Sequence, residues 1–225
     1  VADMGNNRGL RADLKIYAFA GQDLDHLHAV LPLKQRHVRY PGVLFPWDGP
    51  SRHDRDCEAV ACMDGDLLFF TKNRMDGRTF VLKLNDNPVN EMLTPIDTLD
   101  PGMLVTAADY DPELDLLVLA GYADYRNYIV VLPAYKKHGK ASSLRKYHLQ
   151  GLDGAQVEGI AIGEEGTLWL STEKTALFQP AIFSLKASRL ALPGGMMPEV
   201  CLHAPARLAL AGNGYSRDCA TVRGM

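Results

Sequence analysis

Short apolar runs separated by polar turns occupy most of this chain, and the same phrase of apolar and polar positions returns along it. Asp56-Cys57-Glu58-Ala59-Val60-Ala61 recurs one hundred residues later as Gln156-Val157-Glu158-Gly159-Ile160-Ala161. Each copy leads through a short turn into an apolar run with a polar end, Leu68-Phe69-Phe70-Thr71-Lys72-Asn73 in one and Leu168-Trp169-Leu170-Ser171-Thr172-Glu173 in the other. The two copies align without a gap. A weaker copy fits between them at a spacing of forty-nine, with Ala107-Ala108-Asp109-Tyr110 followed by Leu116-Leu117-Val118-Leu119-Ala120-Gly121-Tyr122.

The period and the turn residues predict an all-β repeat protein. Asp64-Gly65-Asp66, Asp111-Pro112-Glu113 and Glu164-Glu165-Gly166 break the first pair of strands at the same place in each copy. A third strand follows in each unit, at Thr79 to Leu84, Tyr128 to Leu132 and Ala181 to Leu185. Three or four antiparallel strands in about fifty residues is the size of one β-propeller blade. A β-sandwich is the competing architecture, but it has no reason to return the same residues at the same offset. The expected fold is therefore a β-propeller of four-stranded antiparallel blades over residues 1–186, followed by a segment, 187–225, that shows no clear strand pattern and would supply outer strands or form a tail.

The beginning of the chain reads as part of a unit. Val1 to Asn7 resembles the polar end of a second strand and Asp13 to Phe19 a third strand, with no first strand before them. A repeat array buries its faces between neighbours. This pattern carries the expectation that the first blade is truncated and that the chain is N-terminally incomplete.

Composition narrows the partners. With 225 residues, 47% of them hydrophobic, the chain can bury a sizeable core, and its formal charge of −3 opposes a broad nucleic-acid surface. No apolar run is long enough to be a membrane-spanning helix. Cys57, Cys62, Cys201 and Cys219 form neither a dense disulfide framework nor a CxxC metal pair. Cys57 and Cys62 lie five apart on one predicted strand, pointing to opposite faces as small hydrophobes.

Setting the units side by side predicts where chemistry would gather. In a propeller the first strand of each blade lines the central channel, so equivalent polar residues converge at its mouth. Glu58, Ala107 and Glu158 stand at one such position, with Asp109 two residues further along the middle copy. Asn73, Tyr122 and Glu173 stand at the end of the second strand, with Asp3, Asn6 and Asn7 in the truncated unit. Calcium takes six to eight oxygen ligands and tolerates irregular geometry, making Glu58, Asp109, Glu158 and Glu173 its candidate ligands. A bound ion would relieve the repulsion among them and could activate a water for hydrolysis. The alternative is that Glu58 and Glu158 tie neighbouring blades together by accepting backbone hydrogen bonds.

Asp3, Asn6, Asn7, Lys72, Asn73 and Tyr122 are the candidate ligand-binding residues. Lys72 would hold an anionic group or simply be solvated, and the asparagines would bind ligand or form turns. His53 precedes Glu58 in the run His53-Asp54-Arg55-Asp56. It is a candidate acid or base, against the alternative of a solvated charged loop. His26 and His28 have a metal-compatible spacing but no evident third ligand. There is no GxSxG elbow, Walker loop, HExxH or GxGxxG.

The ordered set Val1 to Asn7 with Asp13 to Tyr17, Asp56-Cys57-Glu58-Ala59 with Phe70-Thr71-Lys72-Asn73, Thr106 to Tyr110 with Gly121-Tyr122, and Gln156 to Ala161 resembles a group of uncharacterised bacterial β-propeller proteins, many from Bacteroidetes and many predicted to be exported. More distantly, the Glu158-Gly159-Ile160-Ala161 phrase and its following strand are similar to phytase-like and esterase-like propellers and to calcium-dependent lactonases. The resemblance implies a six-bladed ring and a periplasmic or extracellular location, and it ends before Ala187. It transmits no activity, because fold does not fix function. Two functions are expected from these readings: a binding or scaffold propeller with a small polar ligand or metal in its channel, or a calcium-dependent hydrolase of phosphoesters, esters or lactones. A protein-interaction platform, recognised by an exposed apolar patch, is the third.

Overall fold

The computed structural model describes residues 1–19, 34–41, 49–84, 92–186 and 222–224. Strands follow one another through four antiparallel sheets, each arranged in chain order apart from one short late strand. The first sheet holds β1 (Ala2–Asp3), β2 (Lys15–Ala18) and β3 (Lys34–His37). The second holds β4 (Cys57–Met63), β5 (Asp66–Thr71), β6 (Thr79–Lys83) and β7 (Thr94–Leu99). The third holds β8 (Leu104–Asp111), β9 (Leu116–Ala123), β10 (Arg126–Pro133) and β11 (Arg145–Leu149), with β15 (Val222–Gly224) paired outside β11. The fourth holds β12 (Gln156–Gly163), β13 (Thr167–Glu173) and β14 (Ala181–Lys186).

The predicted strands and turns fall where the apolar runs placed them, because hairpins are local structures. Asp64 and Gly65 both have positive φ, 54° and 85°, and form the two-residue connection that matches the twist of β4 and β5. The third sheet uses a four-residue loop at the equivalent point, and the fourth a 3₁₀ turn at Glu164–Gly166. Outer strands β3, β7 and β11 carry no repeated phrase. Of the tail from Ala187, only β15 falls within the described residues, as an outer strand. His26, His28, Cys201 and Cys219 lie outside them.

Side chains alternate across each strand, so the two middle sheets can bury both faces. Ile16, Met4 and Val38 of the first sheet and its flanks pack with Phe69 and Leu82 of the second. On the opposite face of the second sheet, Leu68, Phe70 and Val81 pack with Leu117, Leu119 and Val130 of the third. The other face of the third sheet, with Val118, Ala120 and Ile129, packs with Leu168, Leu170 and Leu185 of the fourth. Each fully buried side chain of this size contributes about 1.5–3 kcal/mol through removal from water. In the fourth sheet the alternation ends differently: Leu168 and Leu170 are buried, whereas Trp169 is 43% and Ile182 47% exposed. Cys57 is buried and Cys62 exposed, so Cys62 is not the buried hydrophobe that its sequence setting suggests.

The register contains a feature that the repeat alignment does not reveal. The pairing of β4 with β5 slips between Cys57 and Ala59, that of β8 with β9 between Val105 and Ala107, and that of β12 with β13 between Val157 and Gly159. Each first strand therefore carries a β-bulge, and the extra residues are Glu58, Thr106 and Glu158. Thr106, rather than Ala107, is the partner of the two glutamates. Across from the bulges, Cys57 faces Thr71, Val105 faces Gly121 and Val157 faces Thr172. The next residues along, Lys72, Tyr122 and Glu173, are thus equivalent, and Asn73 lies one position beyond them. The two copies, gapless in sequence, differ by one residue in the hairpin turn. Gly121 sits where a Cβ would collide with the Leu104 carbonyl, a close approach that no larger residue permits.

Candidate functional site

β4 packs beside β8, and β8 beside β12. A bulge leaves its extra residue outside the ladder and re-aims its side chain. Repeated at one level in three neighbouring strands, it brings Glu58, Thr106 and Glu158 to the wall of one cavity of about 500 Å³, together with Lys72, Tyr122 and Glu173 from the second strands. Arg74, Gln156 and Asn7 complete the polar lining.

At the heart of this wall is a cation. The Lys72 side chain is only 4% exposed, and its Nζ donates to Glu58 Oε2 at 2.5 Å. It also lies 5.1 Å from the centre of the Tyr122 ring, within reach of a cation–π contact. Burial by itself would lower the Lys72 pKa, but the hydrogen bond and charge of Glu58, with Tyr122 and Glu158 adding, carry it above the ordinary lysine value. Lys72 is neither a solvated strand end nor an open anion clamp.

Glu158 experiences the opposite balance. Burial pushes its carboxyl up to about 7; Lys72 opposes that shift, while Glu58, Glu173 and Asp56 reinforce it. Neither the Glu158 nor the Glu173 side chain makes a hydrogen bond or ion pair among the described residues. Near neutral pH the Glu158 group can therefore exist in both protonation states and can donate or accept a hydrogen bond.

A second polar network fixes the rim. Asp56 is fully buried; its Oδ1 accepts from Asn6 N at 2.6 Å, and its Oδ2 pairs with Arg74 Nη2 at 3.3 Å. Arg74 Nη2 also donates to Asn7 Oδ1 at 2.5 Å. His53 is buried beneath this network instead of lying in a solvated loop. Arg55 N donates to its Nδ1 at 3.2 Å, and its Nε2 lies 3.1 Å from the Asn7 carbonyl. A backbone N–H can only donate and a carbonyl can only accept, so these contacts define the neutral tautomer with the proton on Nε2. Both ring nitrogens are spent on backbone, which leaves His53 no nitrogen to act as an acid or base.

Other candidates have separate local roles. Asp109 does not line the cavity; its Oδ2 accepts from Ile162 N at 2.7 Å and ties β8 to β12. Thr106 makes a second tie, donating from Oγ1 to the Val157 carbonyl at 2.5 Å. The bridging role considered for the glutamates thus falls to Asp109 and Thr106. Asn73 accepts from Met75 N at 2.7 Å and donates to Asp76, forming a turn. Asn6 is buried, with its side-chain oxygen accepting from Arg11 N, and Asp3 pairs with Arg11 at 2.7 Å.

Among the described residues no three His, Cys, Asp or Glu side chains converge closely enough to hold a metal ion. Lys72 already supplies the positive charge beside Glu58. Thr106 was missed as a lining residue because the bulge shifts which position of β8 faces the cavity; an alignment allowing one extra residue per first strand would have brought it beside Glu58. Arg74 and Gln156, also in the lining, lie outside the polar positions that the repeat alignment singled out. No protein-family model and no curated protein matches the chain.

Proposed function

We propose that the four sheets are consecutive blades of a β-propeller, and that the cavity lined by all four of them is a channel mouth that binds a small polar ligand. The repeat order and the neighbouring first strands support the propeller reading. The observation that carries the binding reading is the cavity itself, where a buried Lys72–Glu58 pair stands beside Glu158 and Glu173, whose hydrogen-bonding capacity is unused by the described chain. Ligand sites generally combine a concave volume of roughly 300–1,000 Å³ with a few convergent polar groups. Binding is favoured over calcium-dependent hydrolysis because the oxygen donors are not gathered around one point and His53 is committed to backbone. The exported location implied by the resemblance forms part of this proposal.

The test is a thermal-shift screen of small polar metabolites, with calcium chloride as a separate arm, on the wild type and the Glu58→Gln and Glu173→Gln variants. A ligand at a hundred times its Kd should stabilise the wild type by about 2.7 kcal/mol and the variants less. No selective stabilisation by any compound would refute pocket binding. Stabilisation by calcium that is lost in both variants would restore the metal reading.

A further inference from the structure

Resting on that pocket reading, we propose that the ligand is a compact organic cation, a primary amine whose ammonium group sits between Glu158 and Glu173. The charges lining the cavity do not cancel. Its two cations are already engaged, Lys72 by Glu58 and Arg74 by Asp56 with a further bond to Asn7. Glu158 and Glu173 remain without a partner among the described residues. Gln156 stands directly across the β12–β13 ladder from Glu173, and its amide oxygen is likewise unused.

Each class of ligand meets this wall differently. An anion would have to compete with Glu58 for Lys72 or with Asp56 and Asn7 for Arg74, and then face Glu158 and Glu173, a repulsion between like charges in a partly enclosed site. A neutral polyol could form hydrogen bonds but would leave the carboxylate charge unbalanced. A calcium ion needs six or more oxygens around one centre, which this arrangement does not provide. An ammonium group has three donors and no acceptor, so it can meet the unpaired carboxylates of Glu158 and Glu173 without needing a complete oxygen shell. The cavity, about 500 Å³, has room for more than the ammonium. Asn7 and Tyr122 on the remaining wall suit an amine that also carries polar groups.

Calorimetric titration at about pH 8, where Glu158 is mostly ionised, can separate these classes with matched probes. One set is ethanolamine, ethylene glycol and glycolate; the other is putrescine, 1,4-butanediol and succinate; calcium chloride completes the panel. At least one amine should bind roughly tenfold or more tightly than its neutral and anionic counterparts, the scale of one charge-assisted hydrogen bond. Glu173→Gln, at an exposed position on β13, should weaken that binding by a similar factor without unfolding the protein. Neutral or anionic members that bind as tightly as the amines would overturn the cation assignment while leaving the pocket reading intact. So would calcium binding without amine binding, or the failure of both amines to bind more tightly than about 1 mM. The pocket reading fails separately, if the broader metabolite screen is also empty.

Discussion

Replacing Glu158 with Gln should alter the pH dependence of stability in a defined direction. The folded protein raises this carboxyl from 4.5 to about 7, chiefly through burial. In the window between those values the folded state binds the proton more tightly than the unfolded chain, so stability falls as pH rises. Below about 4.5 the cost is absent, and above about 7 it is fully present and constant. At about 1.4 kcal/mol per pH unit, the upper bound is about 3 kcal/mol. The cavity is open to solvent, and screening reduces the expected effect to about 1–2 kcal/mol.

Glutamine keeps the shape and cannot ionise. Urea unfolding followed by tryptophan fluorescence at about pH 5, 6, 7 and 8 would compare the two proteins while every other titrating group stays the same. Relative to wild type, Glu158→Gln should gain about 1–2 kcal/mol between pH 5 and pH 8. A constant difference across the series, or one that grows in favour of wild type, would refute the account of Glu158 as a carboxyl held against ionisation.

Lys72→Met should destabilise the protein by about 3 kcal/mol, because it leaves the Glu58 charge without its buried partner. Adding Glu58→Gln should recover part of that loss in a double-mutant cycle, whereas simple additivity would show that the pair is uncoupled. Leu68→Ala, at a position 1% exposed between two sheets, should cost about 2–5 kcal/mol in urea unfolding. Trp169→Ala, the equivalent position on the fourth sheet, should cost less than about 1 kcal/mol; an equal cost, with sedimentation showing association, would mean that another molecule covers this face.

Several features were legible from the pattern alone. The alternation of apolar runs and turns located the first three strands of the repeated units, since a hairpin depends on residues close in sequence. The repeated phrase singled out Glu58, Glu158, Glu173 and Tyr122, and with Lys72 and Asn7 they share one cavity. Outer strands β3, β7 and β11 were not legible: they bear no copy of the phrase. Asp109 and His53 have the side chains of a reactive site, yet Asp109 bonds to a neighbouring strand and His53 to the backbone of nearby Arg55 and of distant Asn7.

The order of short strands, their turns and the repetition of sheets were thus determined by the chain's own periodicity. Which side chains meet was decided only by tertiary structure, and the physical reason is register. One extra residue in a strand moves every later side chain to the opposite face, and nothing in the letters distinguishes a bulged Glu58 from a paired one. Pairing of β4, β8 and β12 with their second strands moved Thr106 into the place assigned to Ala107 and put Lys72, not Asn73, beside the glutamates. That single position also places a buried lysine beside Glu58, a positive charge that the repeat alignment did not set among the carboxylates.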